Sequence, residues 1–419
     1  MNNLDEHRSV MDGYYPPPEG EGGWRVAEPG RLGVDEELLK QAVSFHNDHV
    51  VTRSYGGALV VVYNGYVVAE SYITGEIGGP RPWGRATCND VKSSTKSIFG
   101  TVVGTFLNEY GGRVGLDTPL VGASRGESLI PQIWEQPITD ERKTRINVKN
   151  VLSMTSGQDS REPWLAPGKR RHTPGHVGPY QMYEYCFGWW RFDGIPAQHR
   201  LLFEPGQGFN YSNFGLEQVA LAMRNISGLE VGRYAWERVL KEIGMPTGLR
   251  DNFYREIPYK DDRELNYSDR PGWGVGGNTG CNAYGADGSS STIGYNTVVG
   301  STFRCSARDF ARLGYLWLRR GSWGKRQLVP EEWMKQATTR FRRPDGSAPV
   351  NYGYTFWIQD ELSGVPADAF GSRGHNINDC YVIPSLGLVI ARMGNDDPPR
   401  EQRDAFVRDL IAGVVKAVT

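Results

Sequence analysis

Residues 57–73 read GALVVVYNGYVVAESYI. Two runs rich in β-branched and aromatic residues, 57–63 and 66–73, are separated by Asn64-Gly65, a pair suited to the left-handed backbone of a two-residue turn. The spacing predicts two antiparallel strands. Before them, residues 35–50 carry a helical pattern. After them, Ile98, Val102, Val103, Phe106 and Leu107 form one apolar face, which predicts a buried helix over 93–110. Far downstream, residues 380–384 and 388–393 are again strand-like around Ser385-Leu386-Gly387, and 400–418 read as an amphipathic helix. Both ends of the chain therefore supply hairpins and helices.

The middle of the chain, 116–290, mixes helical stretches such as 216–226 with loops rich in Gly, Pro and aromatic residues. It reads as an insertion into a sheet domain formed by 35–115 and 291–419. Residues 1–34 read as an arm, punctuated by Pro16 to Pro18 and by glycines at 20, 22 and 23 before any periodic pattern begins. No internal repeat is present, and the Gly/Ser-rich run 285–291 is too short to link domains.

The chain has 419 residues, 39% hydrophobic and 23% charged, enough to bury a sizeable core. Lys plus Arg number 47 against 48 Asp plus Glu. That balance offers no cationic surplus for phosphates and argues against a nucleic-acid partner. The charged, proline-bearing first thirty residues do not read as an export signal, and runs such as 58–63 are too short to span a bilayer. A cytoplasmic protein without a membrane partner is the expectation. Cys88, Cys186, Cys281, Cys305 and Cys380 are scattered without a CxxC pair, as suits reduced thiols better than a zinc site or a disulfide framework. No metal or other cofactor is expected.

Three short segments carry candidate chemistry. Ser93-Ser94-Thr95-Lys96 places a hydroxyl and an amine almost one helical turn apart, on the same side. A serine hydroxyl attacks a carbonyl only when a base takes its proton, and a lysine amine can do so where its surroundings favour the neutral form. In isolation the motif also fits a capping serine followed by a surface lysine. Tyr211-Ser212-Asn213 follows Glu204-Pro205-Gly206 and precedes a helix. Its tyrosine can relay a proton, and Asn213 can donate to substrate or hold Lys96; alone it also fits a turn tyrosine with an Asn cap. In Gly371-Ser372-Arg373-Gly374-His375, a glycine on an edge strand would let a substrate approach, and the next N–H would complete an oxyanion hole with the N–H of Ser93.

Taken in order, these segments resemble the serine β-lactamase and penicillin-binding-protein-like superfamily. Val151-Leu152-Ser153-Met154-Thr155-Ser156-Gly157, Phe203-Glu204-Pro205-Gly206, Phe209 to Asn213 and Ser306 to Gly314 extend the similarity to roughly residues 55–415. Residues 67–72 and 93–104 are most similar to 6-aminohexanoate-dimer hydrolases and related carboxylesterases. The resemblance implies an α+β fold, an antiparallel sheet flanked by helices with a mainly helical insertion and the site between them. It implies Ser93 as the acylated nucleophile, Lys96 and Tyr211 sharing proton transfer, and Asn213, Gly374 and His375 in support. It also implies a small amide or ester substrate and suggests a homodimer. Penicillin-recognising members usually carry Lys-Thr-Gly, or His in first place, where this chain has Ser372-Arg373-Gly374. The cation that meets a β-lactam carboxylate is therefore missing or displaced to Arg373. The other functions open on this scaffold are non-catalytic ligand binding, acyl transfer and D-aminopeptidase activity.

Competing motifs carry less. Gly122-Ala123-Ser124-Arg125-Gly126 fits a nucleophile elbow, but the preceding 116–121 contains Pro119 and makes a poor central strand. Gly272-Trp273-Gly274-Val275-Gly276-Gly277 lacks the strand lead-in of a dinucleotide loop. His46 and His49 read as solvated, without a third metal ligand. Trp164, Tyr180, Tyr183, Tyr185, Trp189 and Trp190 suit either a substrate cleft or a small core of their own.

Overall fold

The computed structural model describes residues 13–54, 56–75, 83–135, 138, 140–158, 201–229, 231–245, 272–273, 299–300, 303–343, 345–348, 350–395 and 399–419. Helix α1 (Glu36–Arg53) is capped by Asp35, whose carboxylate accepts from the amides of Glu37 and Leu38. The predicted hairpin follows as β1 (Gly56–Tyr63) and β2 (Tyr66–Thr74), turned by Asn64 and Gly65 at φ of 49° and 79°. Strand β3 (Asn89–Asp90) leads through a 3₁₀ turn, Lys92–Ser94, into α2 (Thr95–Glu109). Next come α3 (Val148–Leu152), α4 (Asn213–Ser227), α5 (Val231–Ala235) and β4 (Gly272–Trp273). Then follow β5 (Phe303–Cys305), α6 (Ala307–Leu318), the hairpin β6 (Ser322–Trp323) and β7 (Arg326–Gln327), and α7 (Glu331–Ala337). Strands β8 (Trp357–Ile358), β9 (Phe370–Ser372), β10 (Asp379–Ile383) and β11 (Leu388–Gly394) precede the last helix, α8 (Arg400–Val418).

Six strands form one antiparallel sheet in the order β2-β1-β11-β10-β9-β8, and β3-β5-β4 form a second, small one. The run Leu59-Val60-Val61-Val62 lacks polar alternation because both faces of the sheet are covered. Leu59, Val61, Tyr63, Leu388 and Ile390 face Leu39 of α1 and Phe406, Leu410 and Val414 of α8. Val60, Val62, Val389 and Ala391 face the core that holds Phe310 and Leu313 of α6. Gly314 lets that helix settle onto the sheet, since a Cβ there would meet Val389 Cγ1 at 2.5 Å and Cys380 Sγ at 2.6 Å.

Residues 13–34 pack against this body. Trp24 is buried, and the buried Arg312 donates to the carbonyls of Pro16 and Pro17 and to Glu19. Arg308 joins Glu19 to Glu70 on β2.

Two expectations are corrected. The segment holding Gly371 is not at the edge, because Trp357 pairs with Gly371 and makes β8 the outer strand; Gly374 lies beyond the end of β9. His46 is not solvated: it is fully buried on the α1 face that packs toward the sheet, with a ring nitrogen 3.1 Å from Asn47 Oδ1. Ser124 is exposed in a loop. Cys88, Cys305 and Cys380 are buried. The aromatics at 164–190, Cys186, Cys281, residues 274–277 and the 285–291 run lie outside the described residues.

Helix α2 is buried along most of its length, and its glycines permit this. A Cβ on Gly104 would fall 2.1 Å from Trp333, whose indole N–H donates to the Gly100 carbonyl at 3.0 Å. Ala normally stabilises a helix interior by about 1 kcal/mol over Gly. At position 104 overpacking reverses the sign, and we expect Gly104→Ala to destabilise the fold by about 1–2 kcal/mol. Urea unfolding measures it; a stabilised variant would show that Trp333 does not press on this helix.

Candidate active site

The turn before α2 is unusual. Lys92 has φ of 53°, a left-handed conformation that costs a side-chain-bearing residue energy. Asp90 holds it there, accepting the Lys92 amide at 2.7 Å and its ammonium at 3.1 Å. Ser93 is thereby half-buried, with an open side, while Ser94 is fully buried and donates to the Asn378 carbonyl at 2.5 Å.

One turn on, the buried Lys96 donates to Ser93 Oγ at 3.0 Å and to the Gly300 carbonyl at 2.5 Å. Its ammonium also stands over the Tyr211 ring, 4.9 Å from the centroid, a cation–π contact. Ser93 and Lys96 therefore meet, and Tyr211 meets Lys96 through its ring face. That ring is stacked near Trp357 (centroids 6.0 Å apart) and edge-on to Tyr352. Burial, reinforced by neighbouring Tyr211, pushes the Tyr352 phenol well above its ordinary value. Tyr352 is thus a neutral wall of the site.

Tyr211 is positioned by the 151–158 segment. Met154, at φ of 60°, offers its carbonyl to the Asn210 amide at 2.9 Å. The Thr155 carbonyl accepts from Gly206, Gly157 from Leu202, and the Gln158 carbonyl from the Asn210 side chain. Gly157 is required there, since a Cβ would lie 2.4 Å from the Phe203 carbonyl. Ser212 caps α4 by accepting from Gly215, in place of the Asn cap considered for this turn. Asn213 is the first residue of α4; its side chain lies outside the described residues.

Gly374 faces the 91–94 turn from the far side. A Cβ on it would meet the Val91 carbonyl at 2.1 Å and the Asn378 carbonyl at 2.7 Å. Its own N–H is committed to the buried Asp379 carboxylate at 2.8 Å, which leaves His375 as the residue of this pair whose amide the sequence reading requires. The His375 side chain is exposed. Asn376 and Ile377, both left-handed, complete the turn, and Arg392 donates to both of their carbonyls. Arg373 is ion-paired to Asp404 of α8 and lies over the Trp357 ring.

Sequence reasoning missed Glu217, Gly300, Asn378 and Asp379. Of these, Glu217 left a trace: Glu217-Gln218 interrupts the otherwise apolar run Leu216 to Met223, and both side chains are fully buried. A separate cleft of about 800 Å³, lined by Arg145, Lys149, Glu204, Arg340, Arg343 and Tyr354 among others, includes none of Ser93, Lys96 or Tyr211. The hydroxyl–amine contact of Ser93 and Lys96 lies outside it.

The chain matches the family model described as Beta-lactamase over residues 47–413. Searching curated proteins gave no match. Among solved structures it is similar to a Bacillus anthracis protein provisionally named a 6-aminohexanoate-dimer hydrolase, with 16% identity, TM-score 0.61, and 96% of this chain and 89% of that one covered. It is similar to a penicillin-binding protein homologue from Caulobacter crescentus, with 18% identity, TM-score 0.60, and 92% and 98% covered. It is also similar to EstCE1, described as a hydrolase with promiscuous acyltransferase activity, with 14% identity, TM-score 0.60, and 90% and 99% covered.

The 201–212 segment is anchored at its start by Asp140, which accepts from the Leu201 amide at 2.8 Å and pairs with Arg142. Burial opposes the charge of Asp140, but the Arg142 guanidinium and the Leu201 and Arg142 amides outweigh it and hold its carboxyl down at about 2. A folded-state value below the unfolded one stabilises above the unfolded value and is lost as pH falls through the folded one. Asp140→Asn is therefore expected to cost about 1–2 kcal/mol at pH 6, with the gap to wild type narrowing by about half at pH 3. Unfolding midpoints at the two pH values test this; a gap that does not change with pH would refute the pairing.

Proposed function

The chain belongs to the β-lactamase family, and from that premise we propose that it is a serine hydrolase that cleaves a small, largely apolar ester or amide through an acyl-enzyme on Ser93. The observation that carries the reading is the 3.0 Å contact between Ser93 Oγ and the buried Lys96 amine on a half-open hydroxyl. In this mechanism the neutral amine takes the Ser93 proton as Oγ attacks the carbonyl carbon. The amides of Ser93 and His375 receive the developing oxyanion. Lys96, with the Tyr211 hydroxyl, returns the proton to the leaving alcohol or amine. Water then repeats the sequence on the acyl-enzyme.

The rings beside Lys96 support the reading of an apolar substrate. Tyr211 and Trp357, both half-buried, stack beside Lys96 with the buried Tyr352 behind them, a surface suited to an apolar acyl group. Arg373, the one cation in the Ser372-Arg373-Gly374 segment, is neutralised by Asp404. Its engagement argues against a β-lactam or another substrate bearing a carboxylate at that place. The Ser93–Lys96 contact favours catalysis over ligand capture, because binding alone does not need a base on a hydroxyl.

Ser93→Ala is expected to abolish turnover of a p-nitrophenyl ester and labelling by a fluorophosphonate, with the fold unchanged by circular dichroism. Lys96→Ala should fall by a factor on the order of 10²–10⁴. Tyr211→Phe keeps the ring beneath the ammonium and removes only the phenol oxygen, so it separates the two contributions; a loss of at least about tenfold is expected. Retained activity in Ser93→Ala would overturn the proposal.

A further inference from the structure

Glu217 lies in the middle of α4 and is fully buried. Its neighbour Gln218 turns toward the Tyr211 platform, donating to Gln158 Oε1 at 2.8 Å. Glu217 instead reaches to the chain that enters β5. Its Oε1 accepts from two successive amides, Val299 at 2.9 Å and Gly300 at 3.2 Å. An acceptor shared by consecutive N–H groups fixes the orientation of the peptide between them and anchors the Cα from which the next carbonyl projects. That carbonyl belongs to Gly300, which accepts from Lys96 Nζ at 2.5 Å. Lys96 Nζ in turn is 3.0 Å from Ser93 Oγ. One continuous set of contacts thus runs from α4 to the hydroxyl.

The consequence concerns rotation about the Cε–Nζ bond. A neutral amine has one lone pair and two N–H groups, and the lone pair must point at Oγ to take its proton. A carbonyl can only accept, so Gly300 O binds an amine hydrogen in both protonation states. With one N–H held there, the lone pair is confined to directions that include Ser93. We propose that Glu217 is a positioning residue: a backbone clamp that places the Gly300 carbonyl and so aims Lys96 at Ser93. The inference rests on the reading of Ser93 and Lys96 as nucleophile and base.

Charge and reach are separable at this residue. Glu217→Gln removes the charge but retains an acceptor oxygen at the same length; Glu217→Asp retains the charge and withdraws the oxygen by one methylene. On a p-nitrophenyl ester, Glu217→Gln is expected to keep kcat within about threefold of wild type. Glu217→Asp should lose at least about tenfold in kcat with KM changed less than about threefold, because the misaimed base is needed for the chemical step and not for ground-state binding. The rate of Ser93 labelling by a fluorophosphonate, measured per folded molecule, should fall in the same proportion. An active Asp variant, or a Gln variant impaired as much as Asp, would overturn the clamp. Should Glu217→Asp fail to fold, an impaired but folded Glu217→Gln still overturns it. Ser93→Ala and Lys96→Ala run alongside: if either retains turnover, the reading of the site itself falls, whereas if both are inactive and Glu217→Asp is unimpaired, only the clamp falls.

Discussion

A buried amine is the constraint around which this molecule is arranged. Removing the Lys96 side chain from water costs several kcal/mol unless its hydrogens find acceptors, and no carboxylate is paired with it among the described ion pairs. Its partners are a carbonyl, a hydroxyl and a ring face, from Gly300, Ser93 and Tyr211. These lie before β5, ahead of α2 and ahead of α4 respectively, so no local piece of chain can satisfy the amine. The long-range packing that buries α2 is therefore also what assembles the site. Glycines at 100 and 104 admit Thr355 and Trp333 against the helix, and Ser97 fastens it further by donating to the Thr355 carbonyl at 2.6 Å.

The same logic accounts for the strained backbone. Lys92, Asn376 and Ile377 are all left-handed, and each such residue costs on the order of 1 kcal/mol or more. Lys92 is held by Asp90, while Asn376 and Ile377 are held by Arg392. The two strained turns meet at Gly374, where the Val91 carbonyl leaves no space for a Cβ. Asn378 locks them together: its carbonyl takes the Ser94 hydroxyl, and its amide nitrogen donates to the carbonyls of His375 and Gly394. Strain is tolerated because the surrounding bonds leave the chain no cheaper path.

Legibility in the sequence followed the length of the pattern. The β1–β2 hairpin was readable because eight- and nine-residue strands flank a turn whose two residues accept positive φ. The β10–β11 pair and α8 were readable for the same reason. Strands β3, β5, β8 and β9 have two or three residues each, too few to show a period, and they exist because they pair with other strands, β3 with the distant β5 and β9 with β8 and β10. With β8 too short to read, the Gly371 segment looks like an edge from sequence alone. His46 was misread because a lone histidine on an amphipathic helix looks solvated until the helix has a known partner surface. Within the site, Ser93, Lys96 and Tyr211 sit in recognisable segments. The residues around them, Glu217, Asn378 and Asp379, make contacts that no short motif reveals: Glu217 accepts from Val299 and Gly300, Asn378 takes the Ser94 hydroxyl, and Asp379 takes the Gly374 amide, with only the polar pair Glu217-Gln218 in an apolar run as a trace.

Arg373 shows how a departure from a family pattern becomes interpretable only with its surroundings. On sequence alone a guanidinium beside Gly374 can be either a relocated anion receptor or a structural side chain. Its pairing with Asp404 of α8 and its position over Trp357 favour the second. An approaching carboxylate would have to displace one already held at no further ordering cost, and would gain little net energy from the exchange. The aromatic face of Trp357 is then part of the same unit: Arg373 covers one part of it, and Tyr211 and Tyr352 lie against the ring. The described side chains at this end of the site are thus aromatic rings and an already paired guanidinium, and apolar contacts of that kind discriminate by about 1–3 kcal/mol per methylene.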